Sequence, residues 1–385
     1  VTALCDNNSI VLLENGVQYF PALESAIDLA AREIYLETYL FENDQTGRRI
    51  ADALSRAADR GVMVRVLVDG FGGRPFREGL MNGLEAAGVA VLIYRPNISP
   101  ISLRRHRLRR LHRKLVVIDA RLAFVGGINI IDDMPQGGPL QPRLDYAVRV
   151  EGPLLMPIVA AVRRLWWLVS WANLKRREKS TSHAPLVAKP AGKVRAAFLI
   201  RDNLGHRRDI EEAYLDAIRS AREEVVIASA YFFPGRRFRQ ALTAASQRGV
   251  SVIVLLQGLS DHPVLAYATR ALYPYFLGNG IRLFEYHLSY LHAKVAVVDR
   301  SWATVGSSNI DPFSLLLARE ANVVVDDEGF AQQLRKSLAL AMSTGAVELR
   351  REDWRRLPIV KRVATWLAYQ CVRLAIGIAG FRGKH

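Results

Sequence analysis

The sequence predicts an α/β fold of two duplicated domains, each a β-sheet flanked by helices, paired about a pseudo-twofold axis with one site between them. Three observations predict it. LHRKLVVIDARLAFVGGINI (Leu111–Ile130) and LHAKVAVVDRSWATVGSSNI (Leu291–Ile310) overlay without a gap, and both fit H-x-K-x4-D-x6-G-[GS]-x-N. The preceding segments repeat as well: FRQALTAASQRGVSVIVLLQG follows IADALSRAADRGVMVRVLVDG almost residue for residue. In each half, short strands alternate with stretches of helical spacing, which implies βαβ units and a largely parallel sheet.

In the first half, IVLLEN reads as a strand and YFPALESAIDLAAREI as a helix. Ile34–Phe41 alternates as a strand does, and RRIADALSRAADRGV is a helix closed by Gly61. Val62–Val68 is a buried strand that ends in the loop Asp69-Gly-Phe-Gly-Gly. In the second half, RDNLGHRRDIEEAYLDAIRSAREEV matches the first helix and VVIASAYFFP matches IYLETYLFEN. Between the halves, Asn173–Lys193 is polar, basic and contains proline, as an exposed linker is. The expected division is therefore 1–172, a linker at 173–193, 194–346, and a basic and apolar C-terminal segment at 347–385.

Half of the 385 residues are apolar, so the chain is globular. A formal charge of +16 favours a polyanionic partner, either an acidic membrane surface or nucleic acid. Cys5 and Cys371 are the only cysteines and lie at opposite ends, which argues against a disulfide framework or a thiolate metal site. The opening VTALCDNNSIVLLENG is too polar for a secretory signal.

Three stretches depart from a plain soluble pattern. Asn97–Arg113 concentrates arginines, Arg104 and Arg105 among them, just before the first motif. Pro153–Leu174 combines an apolar helical side with Trp166, Trp167 and Trp171. Core packing explains its apolar side, while the Trp and Arg excess suits a membrane interface. Val363–Phe381 is long enough to span a bilayer, but Gln370 and Arg373 lie in its middle. A central Arg costs roughly 2.5–3.5 kcal/mol on insertion scales, so a helix lying in the interface is favoured over a span. Candidate lipid contacts are Arg104, Arg105, Trp166, Trp167 and Trp366.

Residues two apart on a strand share a face, so His112 and Lys114 project together, as do His292 and Lys294. Brought together, two imidazoles and two ammonium groups suit a phosphodiester. The lysines neutralise its non-bridging oxygens. One His attacks phosphorus, and the other protonates the leaving alkoxide and then deprotonates an acceptor alcohol. A nucleophilic His needs its other nitrogen held by an acceptor. Asp145 and Glu320 are the candidates, each read as immediately preceding a strand beside its motif strand. Gly127, Ser307, Asn129 and Asn309 are the candidate phosphate contacts, through backbone room and amide donors. The candidate catalytic set includes Asp119 and Asp299 from the motif, although capping a strand or holding a loop is their simpler role. The remaining histidines (106, 183, 206, 262, 287 and 385) have no repeated partner and read as surface or packing residues. With no HExxH, CxxC, Walker loop or glycine fingerprint, no metal and no cofactor are expected.

The doubled H-x-K-x4-D pattern resembles the phospholipase D superfamily, with similarity from about Ile10 to Ala346. Within it, LLENGVQYFPAL, DYAVRVEGP, FFPGRRF and HAKVAVVDRSWATVGSSNIDPFSL look like the bacterial cardiolipin synthases of the short B type. The resemblance implies two phospholipase D-like domains, each a mixed sheet flanked by helices, sharing one active site. It also implies metal-independent phosphatidyl transfer through a phosphohistidine, and peripheral attachment to the bacterial inner membrane at its cytoplasmic face. It carries His112, Lys114, His292 and Lys294 over as the catalytic set, with His112 as nucleophile, and Asp145 and Glu320 as orienting acids. Longer relatives carry N-terminal transmembrane helices; attachment here is expected from the basic and apolar surfaces named above. The expected reaction makes cardiolipin from phosphatidylglycerol and a second phospholipid, with transfer to glycerol as a side activity. A hydrolase or nuclease of the same superfamily and a non-catalytic lipid-binding protein are the alternatives. The charge suits DNA as well, but the Trp-rich helix and the apolar C-terminus have no use on it, so no nucleic acid is expected.

Overall fold

The computed structural model describes residues 3–96, 109–134, 141–173, 189–202, 205–259, 263–311, 318–352 and 358–380. Arg104, Arg105 and most of the expected linker lie outside the described residues.

The first half runs β1 (Cys5–Glu14), α1 (Asn15–Asp28), β2 (Glu33–Thr38), α2 (Gln45–Asp59), β3 (Met63–Asp69), α3 (Arg74–Gly79), α4 (Met81–Ala86) and β4 (Ala90–Tyr94). It continues with β5 (Arg110–Leu111), β6 (Lys114–Ile118), β7 (Leu122–Gly126), β8 (Tyr146–Glu151) and α5 (Leu155–Ala172). The second half runs β9 (Val194–Arg201), α6 (Asp209–Ser220), β10 (Glu224–Ser229), α7 (Arg236–Gln247), β11 (Ser251–Gln257), α8 (Pro263–Arg270), α9 (Tyr273–Gly278) and β12 (Arg282–Tyr286). Then follow β13 (Lys294–Val298), β14 (Trp302–Gly306), β15 (Ala318–Asp326), α10 (Glu328–Gly345), β16 (Ala346–Glu348) and α11 (Ile359–Gly380).

Local chemistry accounts for these boundaries. In α2, Asp44 caps the start by accepting from Gly47 N at 2.8 Å, and Ile50, Ala51, Ala53, Leu54 and Ala57 form its buried face. Gly61, at φ +83°, ends it.

Among the described residues the strands are ordered β16-β12-β11-β10-β13-β14-β15-β9-β1-β8-β7-β6-β2-β3-β4, a palindrome of the two halves that meets at β9 and β1. β2-β3-β4 and β10-β11-β12 pair in parallel, as βαβ units do. β6-β7-β8 and β13-β14-β15 are antiparallel. The sheet is thus mixed, as the family resemblance implies, and not largely parallel as strand–helix alternation alone would have it: after the second βα unit the chain returns through hairpins. In the first of these, Asp119 and Ala120 both have φ +52°, the positive values tight hairpin turns need.

Three cores follow. α1, α2 and α4 cover one face of the first sheet through Leu23, Ile27, Ile50, Leu54 and Leu84. α6, α7 and α9 do the same for the second through Ile218, Leu242 and Phe276. The third core belongs to both halves: the inner faces of the sheets, from Val125 and Val148 to Val305 and Val323, bury together with α5 and α10. The two halves are therefore one folded unit, and the motif strands meet inside it.

Candidate active site between the halves

Each motif histidine is tied to the other half. β5 pairs in parallel with β15, and His112 N donates to Arg319 O at 3.0 Å. Reciprocally, Leu144 bridges Leu291, and His292 N donates to Leu144 O at 2.8 Å. Backbone pairing thus carries each imidazole onto the partner half's acid. Nδ1 of His112 lies 3.0 and 3.1 Å from the two oxygens of Glu320, and Nδ1 of His292 lies 2.6 Å from Asp145 Oδ2.

The sequence reading placed each acid's strand beside its own motif strand. Here β7 lies between β6 and β8, and β14 between β13 and β15. Asp145 does directly precede β8, but Glu320 lies inside β15. The acids are exchanged between the halves.

Asp145 and Glu320 are buried, as are Lys114 and Lys294. The histidine side chains keep 16% and 20% of their surface exposed, enough for a ligand to reach the rings. Lys114 Nζ donates to His112 O at 2.8 Å, and Lys294 Nζ to His292 O. Lys294 Nζ also lies 3.7 Å from Asp145.

Burial, then repulsion from Lys294, brings the Lys114 ammonium down to about 7. Burial lowers His112 against the pull of Glu320, and burial with Lys294 takes His292 down to about 4. Burial pushes the Asp145 carboxyl up, but Lys294 and His292 outweigh it and hold the group below its ordinary value. At neutral pH the ligand-free site therefore holds two neutral imidazoles. A bound phosphodiester anion adds the negative charge that favours protonating one of them.

Several expected roles are corrected by position. A Cβ at Gly127 would lie 2.2 Å from Asp145 Oδ1, so glycine here makes room for the acid. Ser307, its counterpart, donates from Oγ to Glu320 Oε2 at 2.5 Å and accepts from Ala321 N at 3.0 Å. Both residues support the carboxylates rather than face a phosphate. Asp119 and Asp299 stand at the far ends of β6 and β13 from the lysines. Asp119 accepts from the amides of Ala31, Arg32 and Glu33 at 2.7–3.0 Å, and Asp299 from those of Arg222, Glu223 and Glu224 at 2.8–3.2 Å. They brace turns and do not touch the site. Asn129 and Asn309 are buried beside the motif, and Asn129 Oδ1 accepts from Leu40 N at 3.2 Å.

Trp166 is no surface residue. It is buried in the shared core, edge-on to Tyr35 at 6.4 Å with the Arg65 guanidinium over its ring. Trp167, Trp171 and Trp366 are exposed, at 56%, 72% and 57%.

Two site residues escaped the sequence reading. The Tyr39 ring meets His112 edge-on at 5.1 Å and lies 5.6 Å beneath Lys114 Nζ. Asp69, fully buried, accepts from Leu111 N at 2.8 Å and from Phe71 N at 2.9 Å, which fixes the strand leading into His112. The available signal for Asp69 was a carboxylate closing a buried strand ahead of a glycine-rich loop.

Comparison with known proteins bears on the family and the fold. A family profile described as "Cardiolipin synthase, PLD-like domain" matches residues 23–134 and 214–340, one block in each half. The chain belongs to the phospholipase D-like cardiolipin synthase family. Cardiolipin synthase B of Escherichia coli K12 is 43% identical over 344 residues, covering 86% of this chain and 80% of that protein. Cardiolipin synthase 1 of Staphylococcus epidermidis is 30% identical over 338 residues, covering 87% and 68%. Among solved structures, the phosphatidylserine synthase of Haemophilus influenzae superposes with a TM-score of 0.68 over 96% of this chain and 95% of its own, at 14% identity. That likeness bears on the fold alone, and it extends over both halves.

Proposed function

We propose that this family member is a phosphatidyltransferase that forms cardiolipin from phosphatidylglycerol and a second phospholipid. The observation that carries the reading is the convergence of His112, Lys114, His292 and Lys294 on one site, each imidazole held at Nδ1 by a carboxylate of the other half. A carboxylate on Nδ1 fixes the proton there and leaves the Nε2 lone pair to react. His112 Nε2 attacks the donor's phosphorus while His292 gives a proton to the departing head-group alcohol. The phosphatidyl group then sits on His112. The hydroxyl of phosphatidylglycerol next forms the new P–O bond as the P–N bond breaks, and its proton passes to His292. Lys114 and Lys294 balance the non-bridging oxygens, with Asn129 and Asn309 lining the phosphate position. Glycerol acting as the acceptor yields phosphatidylglycerol by the same route.

The division into two catalytic domains at 1–172 and 194–346, the linker at 173–193 and the membrane-associating segment at 347–385 belongs to the same proposal. Peripheral attachment at the cytoplasmic face of the inner membrane is supported by α11. It packs through Ala368, Tyr369 and Val372 on the second half and exposes Ile359, Val360, Val363, Trp366, Leu367 and Leu374. Basic Lys361, Arg362 and Arg373 accompany that apolar side, a pairing suited to anionic lipid. Among the described residues, α5 alone is long and apolar enough to cross a bilayer, but Ile158, Val162 and Leu165 commit its apolar side to the shared core.

The test is product analysis with labelled phosphatidylglycerol vesicles in EDTA, with and without phosphatidylethanolamine. Cardiolipin is the expected product, and phosphatidic acid alone would reassign the chain as a hydrolase.

A further inference from the structure

The residues one step outward from the two histidines are not alike. Leu144 and Leu291 bridge in parallel and turn their side chains into the shared core. Alternation along the extended backbone then puts Arg143 and Asp145 on the opposite face, beside Tyr290 and His292. The contacts follow that register. Asp145 Oδ2 lies 2.6 Å from His292 Nδ1, and the Arg143 guanidinium lies over the Tyr290 ring at 5.4 Å. In the other half β5 and β15 pair through Leu111 and Arg319, so Arg110 and Ala318 hold the corresponding places beyond His112 and Glu320. There Arg110 lies over the Phe71 ring at 5.4 Å. Each histidine thus has one arginine on an aromatic ring beside it, but the two are engaged differently. Arg110 donates to Arg109 O at 3.2 Å, and its charge reaches the buried Asp69 carboxyl. Arg143 is half-buried. Among the described residues no hydrogen bond or ion pair engages its guanidinium, and its Nε is buried without a partner. Asp133, whose carboxyl feels the Arg143 charge, commits Oδ2 to Gly16 N at 2.9 Å.

We infer, on the transferase reading above, that Arg143 binds the phosphate of the acceptor lipid, the phosphodiester that phosphatidylglycerol carries besides its reacting hydroxyl. Forming cardiolipin brings this second anion beside the phosphate on His112. Lys114 and Lys294 balance the first, and the second needs a cation of its own. Two residues along an extended strand advance about 7 Å, a span that the three-carbon glycerol bridge between two phosphates covers. Arg143 stands that one step beyond His292, which takes the proton of the reacting hydroxyl. A guanidinium laid on an aromatic face is held in orientation while its edge donors stay available, and its planar fork matches two oxygens of one phosphate. Arg143 takes no part in the bond changes. The P–O bond forms, the P–N bond to His112 breaks, and the proton goes to His292. Free glycerol carries no phosphate and gains nothing from Arg143, which makes this arginine a specificity residue for an anionic lipid alcohol over a neutral one.

The test uses the full chain with dioleoyl phosphatidylglycerol vesicles and deuterated glycerol, with initial rates read by mass spectrometry. Cardiolipin reports transfer to the anionic acceptor, and deuterated phosphatidylglycerol reports transfer to the neutral one. Both products come from the same phosphatidyl-enzyme, so changes in donor cleavage cancel in their ratio. Arg143→Gln and Arg143→Met each remove the charge and break no side-chain hydrogen bond among the described residues. At fixed glycerol we expect the ratio of cardiolipin to deuterated phosphatidylglycerol to fall about tenfold to a hundredfold, the worth of a hydrogen bond to a charged group. A ratio unchanged in whichever of the two variants folds overturns the assignment. That includes a parallel fall of both products, which would put Arg143 at the donor's phosphate or in the frame of the site. Wild-type enzyme that releases phosphatidic acid and forms neither transfer product instead overturns the transferase reading, so the two failures are distinct.

Discussion

The exchange of acids between the halves makes a prediction that same-half pairing does not share. In Glu320→Gln the carboxylate that accepts from His112 Nδ1 becomes a carboxamide, whose NH2 can donate to that nitrogen instead. The imidazole then carries its proton on Nε2, the atom required for attack. A hydrogen bond to a charged group contributes about 1.5–3 kcal/mol, so the reactive tautomer should become about 10–150-fold rarer. Glu320 is fully buried and also receives Ser307 Oγ, so water cannot replace the lost acceptor. The assay is a long-range 1H–15N correlation spectrum of 15N-histidine-labelled protein at neutral pH, which reads the tautomer of each imidazole. His112 should change in Glu320→Gln and stay unchanged in Asp145→Asn, and His292 should do the reverse. Cardiolipin formation should drop by the same order of magnitude in both variants. A tautomer change at His292 in Glu320→Gln, with His112 untouched, would refute the exchanged pairing.

Other predictions follow from single contacts. Gly127→Ser drives a Cβ to 2.2 Å from Asp145 Oδ1, so cardiolipin synthesis should fall by about a hundredfold or more; a near-normal rate would show that the acid can move without loss. Asp119→Ala removes the acceptor of three amides at a positive-φ turn and should cost about 1–3 kcal/mol in urea unfolding, while the folded fraction keeps its turnover. Burial and Lys294 put His292 at about 4 in the folded protein, against 6.5 unfolded. The folded state then binds fewer protons, so this contribution to stability is intact above pH 6.5 and is lost as the pH falls from 6.5 to 4. The loss is on the order of 3 kcal/mol, and His292→Asn should flatten that part of the urea midpoint-against-pH curve relative to wild type.

The two His–Lys pairs were legible because duplication writes them twice at one spacing, and strand alternation then puts His and Lys on one face. The βα units were legible from helical spacing and closing glycines. The hairpins were not, because Asp119-Ala120 carries no glycine: an Asp–Ala pair supplies the positive φ, stabilised by amides of a loop 86–88 residues distant. The partner of each imidazole was likewise hidden. Asp145 and Glu320 each follow their own motif in the chain, and only the pairing of β5 with β15 and of Leu144 with Leu291 carries each histidine to the other acid. Trp166 was misplaced because a Trp beside Arg163 and Arg164 suits an interface as well as a core. The Arg65 guanidinium and the Tyr35 ring that hold it inside come from other strands.

Exchange of the acids also explains why the two halves could diverge where they did. Positions 127 and 307 are equivalent in the motif, and Asp145 and Glu320 are equivalent to each other, since Gly127 N bonds Tyr146 O and Ser307 N bonds Ala321 O. The shorter acid lies against a glycine and needs the missing Cβ. The longer acid lies against a serine and takes its hydroxyl as a donor. Each acid–neighbour pair is matched within its half, while its histidine comes from the other. The same coordination appears behind the motif, where the buried Arg113–Glu37 pair occupies one half and Ala293 with Ala228 the other. Losing one partner of such a pair strands a buried charge at a cost of about 3–5 kcal/mol, so both members had to change together. Beside the site, divergence includes these matched pairs and Tyr39, which meets His112 where the second half has Ala230. The two histidines could acquire different surroundings, and with them different roles, while the exchanged bonds at Nδ1 stayed the same.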